Sequence, residues 1–138
     1  MTEPASGSRK QRFPDWRYQA ELGNEWKKAI NERQAMYVIA QFTVIPIGAG
    51  TSLSGYVAAC ERVLAATTGI NYEMHANGTN LEGEWEAVMD AIQRCHETLH
   101  GMGVPRIFTN VTLGTRIDRP QRMAEKLASV QAKLADQT

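Results

Sequence analysis

The longest apolar, β-branched run in the chain begins at Tyr37 and reads YVIAQFTVIPIG. A two-residue period puts Val38, Ala40, Phe42 and Val44 on one face. It puts Tyr37, Ile39, Gln41, Thr43 and Ile45 on the other. The pattern predicts a strand with one apolar face, suited to a helix layer, and one mixed face. Pro46 and the Gly48-Ala49-Gly50 turn end pairing and bend the chain. Thr51, Ser52 and Ser54 are each suited to cap a helix that follows. That helix runs to about Thr68, with Val57, Cys60, Val63 or Leu64, and Thr67 on its buried face. Gly69 is its expected stop.

Asn71 to Asn77 alternates again, with Tyr72, Met74 and Ala76 on the helix side and Glu73, His75 and Asn77 opposite. Asn77-Gly78 predicts a two-residue hairpin turn into a short third strand, Thr79 to about Glu82. From Glu84 the spacing of Trp85, Val88, Met89, Ile92, Cys95, His96 and Leu99 predicts an amphipathic helix, ended by Gly101 and Gly103. Pro105 leads into a fourth strand, Arg106 to Thr115. Asp118 is expected to cap a last helix with Pro120 in its first turn and Met123, Leu127, Val130 and Leu134 as its apolar stripe.

From Met36 the order is strand, helix, strand, strand, helix, strand, helix. The first six elements form the split βαβ, or ferredoxin-like, pattern. This predicts an α+β domain over residues 36–138: a four-stranded antiparallel sheet, two helices on one face, and an extra C-terminal helix. Residues 1–35 read as an N-terminal helical extension. Its first part is polar and expected to be disordered. A helix at about 15–33 follows, carried by Tyr18, Leu22, Trp26 and Ile30 at spacings of four. It docks on its own domain or on a neighbouring subunit.

Composition changes this picture mainly by exclusion. The 138 residues suffice for one domain with a core. Fifteen basic and fifteen acidic residues cancel, so no net charge favours nucleic acid or an anionic membrane. No apolar run approaches the ~20 residues of a membrane span. The N-terminal MTEPASGSRKQ lacks the apolar core of a signal peptide, so a cytoplasmic location is expected. Cys60 and Cys95 fall inside helical patterns and read as buried, reduced thiols. No CxxC or HExxH is present, and no metal or cofactor is expected. His96 lies on the helix stripe and His100 at a helix C-terminus, where a cation is favoured. Only His75 lies on a mixed strand face. No Ser-His-Asp ordering is present. The Gly48-Ala49-Gly50 turn has no Walker lysine and reads as a plain strand-to-helix turn.

Polar residues recur on strands that should be neighbours. Gln41 and Thr43 lie on the first, Glu73 and His75 on the second, Asn110 and Thr112 on the fourth, with Glu82 before the second helix. Neutral donors and acceptors with a carboxylate, in a half-apolar setting, suit a small nitrogenous heterocycle. Tyr37 and Phe108 could stack on its ring. A polar subunit interface accounts for the same residues, so both readings stand on pattern alone.

Three segments carry a resemblance: FTVIPIGAGTSLSGYVA, NGTNLEGEWEAVMDAI and RIFTNVTLGTRIDRP. Gly78-Thr79 followed by Glu82-Gly83, and Thr115-Arg116 with Asp118, are its most specific points. From Tyr37 to about Leu134 the chain resembles the thiamine-binding protein family of YkoF-like proteins. That resemblance implies a ferredoxin-like fold that pairs through its sheets as a homodimer or homotetramer. It also implies binding of thiamine or its hydroxymethylpyrimidine moiety without catalysis. The family's usual Pro-Met before Gly-Thr is replaced here by Ala76 and Asn77. Carried over by position, Thr79 and Glu82 are pocket residues, and Arg116 with Asp118 braces the end of the fourth strand. A local salt bridge with a helix cap is the other reading of that pair.

The expected ligand-binding set is therefore Gln41, Thr43, His75, Thr79, Glu82, Asn110, Thr112 and Arg116. The expected function is a non-enzymatic carrier or sensor of thiamine or a hydroxymethylpyrimidine compound at a subunit interface. The alternative is a structural or regulatory oligomeric module whose sheet face serves assembly only. An enzyme acting on a thiamine precursor is a third reading, for which nothing places a nucleophile beside a base.

Overall fold

Residues 35–136 are described by a computed structural model. The expected N-terminal helix at about 15–33 lies outside them. Seven elements follow in order: β1 (Tyr37–Pro46), α1 (Ser54–Ala65), β2 (Ile70–His75), β3 (Gly78–Glu84), α2 (Trp85–Gly101), β4 (Ile107–Thr115) and α3 (Met123–Ala135). The strands form one antiparallel sheet in the order β2-β3-β1-β4. This is the ferredoxin-like α+β arrangement, with α3 as an addition.

The alternation of β1 decides which way the sheet faces. Val38, Ala40 and Phe42 are buried under the helices. They meet Leu81 of β3 and Val88, Ala91, Ile92, Cys95 and Leu99 of α2, with Ala59, Cys60 and Leu64 from α1. Burying a Leu or Val side chain fully is worth roughly 1.5–3 kcal/mol, so this cluster holds the two layers together. Both cysteines are free and buried. The Cys95 thiol is pushed up by its hydrogen bond to Cys60 and by burial.

Several local details differ from the expectation. Leu53, not a serine or threonine, occupies the N-cap of α1, without a side-chain cap bond. Gly48 and Gly50, at φ 76° and 89°, bring the chain into that helix instead. The helix ends at Ala65, and Val57, 38% exposed, lies outside the core cluster.

The hairpin turn is Ala76-Asn77, because His75 pairs with Gly78. No residue of this turn has positive φ. The glycine is needed for a different reason: a Cβ on Gly78 would lie 2.8 Å from both the Phe42 carbonyl oxygen and Thr43 Oγ1. Asp118 does not cap the last helix. Arg122 holds the N-cap, and Asp118 binds the Arg116 guanidinium instead. No helix among the described residues is long and apolar enough to cross a membrane.

Candidate functional site

A cavity of about 290 Å³ lies where the C-terminal end of β1 meets α1 and the β2–β3 turn. Phe42, Leu53 and Val57 provide apolar wall. Its polar groups come from β1, α1, β2 and β3 and from the β2–β3 turn. Thr79 of β3 is 4% exposed and faces the helices, because its register partner is Phe42. Its hydroxyl donates to Glu61 Oε1 of α1 at 2.6 Å. Among the described residues, the other oxygen of Glu61 makes no hydrogen bond.

The turn that forms the cavity's rim is tied down twice. Thr43 Oγ1 donates to the Asn77 carbonyl at 2.8 Å, across 34 residues of sequence. The Asn77 N–H donates to His75 Nδ1 at 3.3 Å, which leaves the ring proton on Nε2 in the neutral form. Thr43 and Ile45 line the cavity yet belong by parity to the sheet's open face. The cavity therefore adjoins the edge of that face. An apolar slot with a half-free carboxylate and an imidazole can take a flat, partly cationic heterocycle and bind its N–H groups.

The open face carries the other expected residues. Gln41 sits between Asn80 of β3 and Thr112 of β4, and Thr43 lies opposite Asn110. Ile39, Ile45 and Phe108 flank these polar groups, and Phe108 is 57% exposed. Gln41, Asn110 and Thr112 are exposed and sit away from the Glu61 cavity. The structure thus brings Thr43, His75 and Thr79 together and leaves Gln41, Asn110 and Thr112 on an uncovered sheet face.

Glu82 and Arg116 lie at a third place, where α3 joins the sheet. Glu82 is 5% exposed. Its Oε1 accepts from Asn71 Nδ2 at 3.1 Å and its Oε2 from the Met123 N–H at 2.7 Å. Both oxygens are therefore committed to holding β2 and α3. Tyr37 lies beside it, and its phenol is raised by burial and then by the Glu82 charge, against the opposing field of Arg122. The Arg122 guanidinium stands 5.5 Å from the Tyr37 ring centroid. Arg116 forms a two-pronged bond with Asp118, both contacts at 2.6 Å, and donates to Gln121 Oε1 at 2.8 Å. The Asp118 carboxyl is held below its ordinary value by that guanidinium.

Glu61 was not among the expected residues. It is the one acidic residue of α1, one helical turn after Val57, and that spacing was the signal available. Among the described residues no group of three or more His, Cys, Asp or Glu side chains could hold a metal ion.

Comparison with known proteins agrees with this architecture. A UPF0045 protein from Synechocystis is 50% identical over 101 residues, covering 73% of this chain and 83% of the relative. One from Eremothecium gossypii is 34% identical over 102 residues, covering 73% and 96%. A hypothetical protein of Methanocaldococcus jannaschii superposes with a TM-score of 0.64 at 28% identity, covering 69% of this chain and 96% of that one. A Thermotoga maritima protein named for thiamine biosynthesis or salvage shares the fold, with a TM-score of 0.57 at 19% identity, covering 68% and 98%. The family model described as thiamine-binding protein matches residues 40–131, so the chain belongs to the thiamine-binding protein family.

Proposed function

We propose that the protein binds thiamine or a related hydroxymethylpyrimidine compound without turnover, as a cytoplasmic carrier or sensor. The cavity between α1 and the β2–β3 turn holds the aminopyrimidine ring. The observation that carries this reading is the Glu61–Thr79 pair at 2.6 Å beside an apolar wall. Thr79 fixes one oxygen of the carboxylate and leaves the other to accept from the ring's exocyclic amino group. Family membership and the Thermotoga relative's name support the ligand class.

Assembly belongs to the same proposal. Ile39, Ile45 and Phe108, with Gln41, Asn110 and Thr112 among them, form a face that a second copy covers to give a homodimer or homotetramer. Thr43 and Ile45 border both that face and the cavity, so the ligand sits at the rim of the subunit interface. Glu82 and Arg116 act at one remove, by holding α3 and its connecting loop.

The test is calorimetric titration with thiamine and with hydroxymethylpyrimidine, with turnover followed in parallel. Micromolar affinity, about −8 kcal/mol, is the scale expected. Glu61→Gln should weaken binding tenfold or more, because hydrogen bonds to a charged group are worth about 1.5–3 kcal/mol. Unchanged affinity in that variant overturns the site. No heat with either compound, from a folded oligomer, favours the assembly-only reading. Product formation revives an enzymatic one.

A further inference from the structure

At the end of β1 away from the Glu61 cavity lies a second recess, of about 160 Å³. Tyr37, Thr115, Arg116, Arg119, Gln121 and Lys126 are the polar residues that line it, and no carboxylate does. Arg116 is neutralised by Asp118. Among the described residues neither Arg119 nor Lys126 has a carboxylate within ion-pair reach. The Arg119 field reaches Asp118, but as a contribution secondary to Arg116.

The acids nearby are engaged elsewhere. Both oxygens of Glu82 are taken by Asn71 and Met123. Glu125 Oε2 accepts from the Arg122 N–H. Glu84 lies opposite Tyr37 at the strand end, outside the recess. Lys126 is placed against the dipole of α3, since a cation in the first turn of a helix is unfavourable there. The recess therefore gathers positive charge from the connecting loop and from the start of α3.

The donors are also oriented. Gln121 uses its carbonyl oxygen on Arg116, which turns its NH2 group outward as a donor. Arg116 keeps one unused N–H on each terminal nitrogen after its bonds to Asp118 and Gln121. The Tyr37 hydroxyl accepts from Arg122 at 3.3 Å and closes one wall. Two cations without an ion-pair partner among the described residues, with several N–H donors and no carboxylate in the lining, match a compact dianion.

We infer that this recess is a phosphoryl-binding site, formed by Arg116, Arg119, Gln121 and Lys126, for inorganic phosphate or the head of a small phosphomonoester. It is separate from the pyrimidine cavity. Its occupation does not depend on thiamine binding.

The experiment is a titration of full-length, isotopically labelled protein with inorganic phosphate and with phenyl phosphate at fixed ionic strength, read by backbone amide shifts. Saturable shifts confined to residues 114–126 are expected. They should weaken at least tenfold in the Arg119→Gln, Lys126→Gln double variant. Both side chains are solvent-facing, so the variant's spectrum should otherwise match the wild type. Arg119→Lys should retain most of the affinity. Equal affinity for the two probes assigns the site to free phosphate, and tighter phenyl phosphate assigns it to an ester. Non-saturating shifts, shifts spread over the surface, or an unaltered double variant overturn the proposal. Thiamine titration of the double variant separates the two sites: its affinity should be unchanged.

Discussion

The Glu82 carboxylate accepts the backbone N–H of Met123 at 2.7 Å, across 41 residues of sequence. One of the unpartnered donors at the start of α3 is thereby satisfied by a strand residue rather than by its own N-cap. Asn71 secures the other carboxylate oxygen. Removing the side chain in Glu82→Ala leaves a part-buried N–H without its partner, a loss of about 1–3 kcal/mol. Hydrogen exchange at Met123 and Lys126 should accelerate while thiamine affinity changes less than threefold. A large loss of affinity with slow exchange retained would return Glu82 to the ligand pocket.

Gly78 is fixed by contact rather than by backbone dihedral. A methyl group there meets the Phe42 carbonyl and Thr43 Oγ1 at 2.8 Å, and neither is the free end of a flexible chain. Gly78→Ala should therefore cost about 1–3 kcal/mol, the range for forced overpacking. It should also displace the turn that forms the cavity rim and weaken ligand binding. Urea denaturation and calorimetry on the same sample measure both. A variant with wild-type stability would show that β1 and the turn separate freely.

His96 on α2 is half-buried and lies 2.7 Å from Thr109 Oγ1. Burial holds its imidazole below the ordinary value, and His100 adds to the shift. An unfolded histidine titrates near about 6.5. As pH falls through that value, the unfolded chain takes up the proton before the folded one. The contribution to stability is full above that value and is lost as pH falls toward the lower folded value. The wild-type denaturation midpoint should thus fall between neutral and mildly acid pH, and His96→Gln should flatten that fall. Parallel slopes in the two proteins would remove His96 from the acid response.

The sequence made the sheet legible because β1 obeys its period without exception from Val38 to Phe42, whereas in β4 burial alternates only from Ile107 to Asn110 and the rest of the strand is exposed. It was less informative about chain reversals. Asn77-Gly78 is a strong turn signal, but the register moves the turn one residue back and gives the glycine a packing role. Asp118 has the chemistry of a cap, yet a guanidinium two residues away outcompetes the helix for it. Thr79 and Glu82 are three apart on one strand, so the period of two sends them to opposite faces. Parity alone contained that separation. The pairing of Glu61 with Thr79 was not legible, because it depends on how α1 crosses the sheet, which no local pattern encodes.

Assembly yields the last prediction. Phe108 lies opposite Ile45 on the open face, and both are remote from the core cluster. An exposed aromatic beside β-branched side chains adds to an apolar patch that a second copy would cover. Phe108→Asp should lower the mass measured by light scattering to that of a single chain. The circular dichroism of the fold should persist, since Phe108 is 57% exposed and lies outside the core cluster. The same variant should weaken thiamine binding, because Thr43 and Ile45 border both the face and the cavity. An unaltered mass would transfer assembly to α3, whose Leu127, Val130 and Leu134 are 58%, 55% and 65% exposed. Leu127→Asp would then be the variant that separates the subunits. Monomers that bind thiamine with wild-type affinity would free the cavity from any dependence on a second copy and place the ligand wholly within one chain.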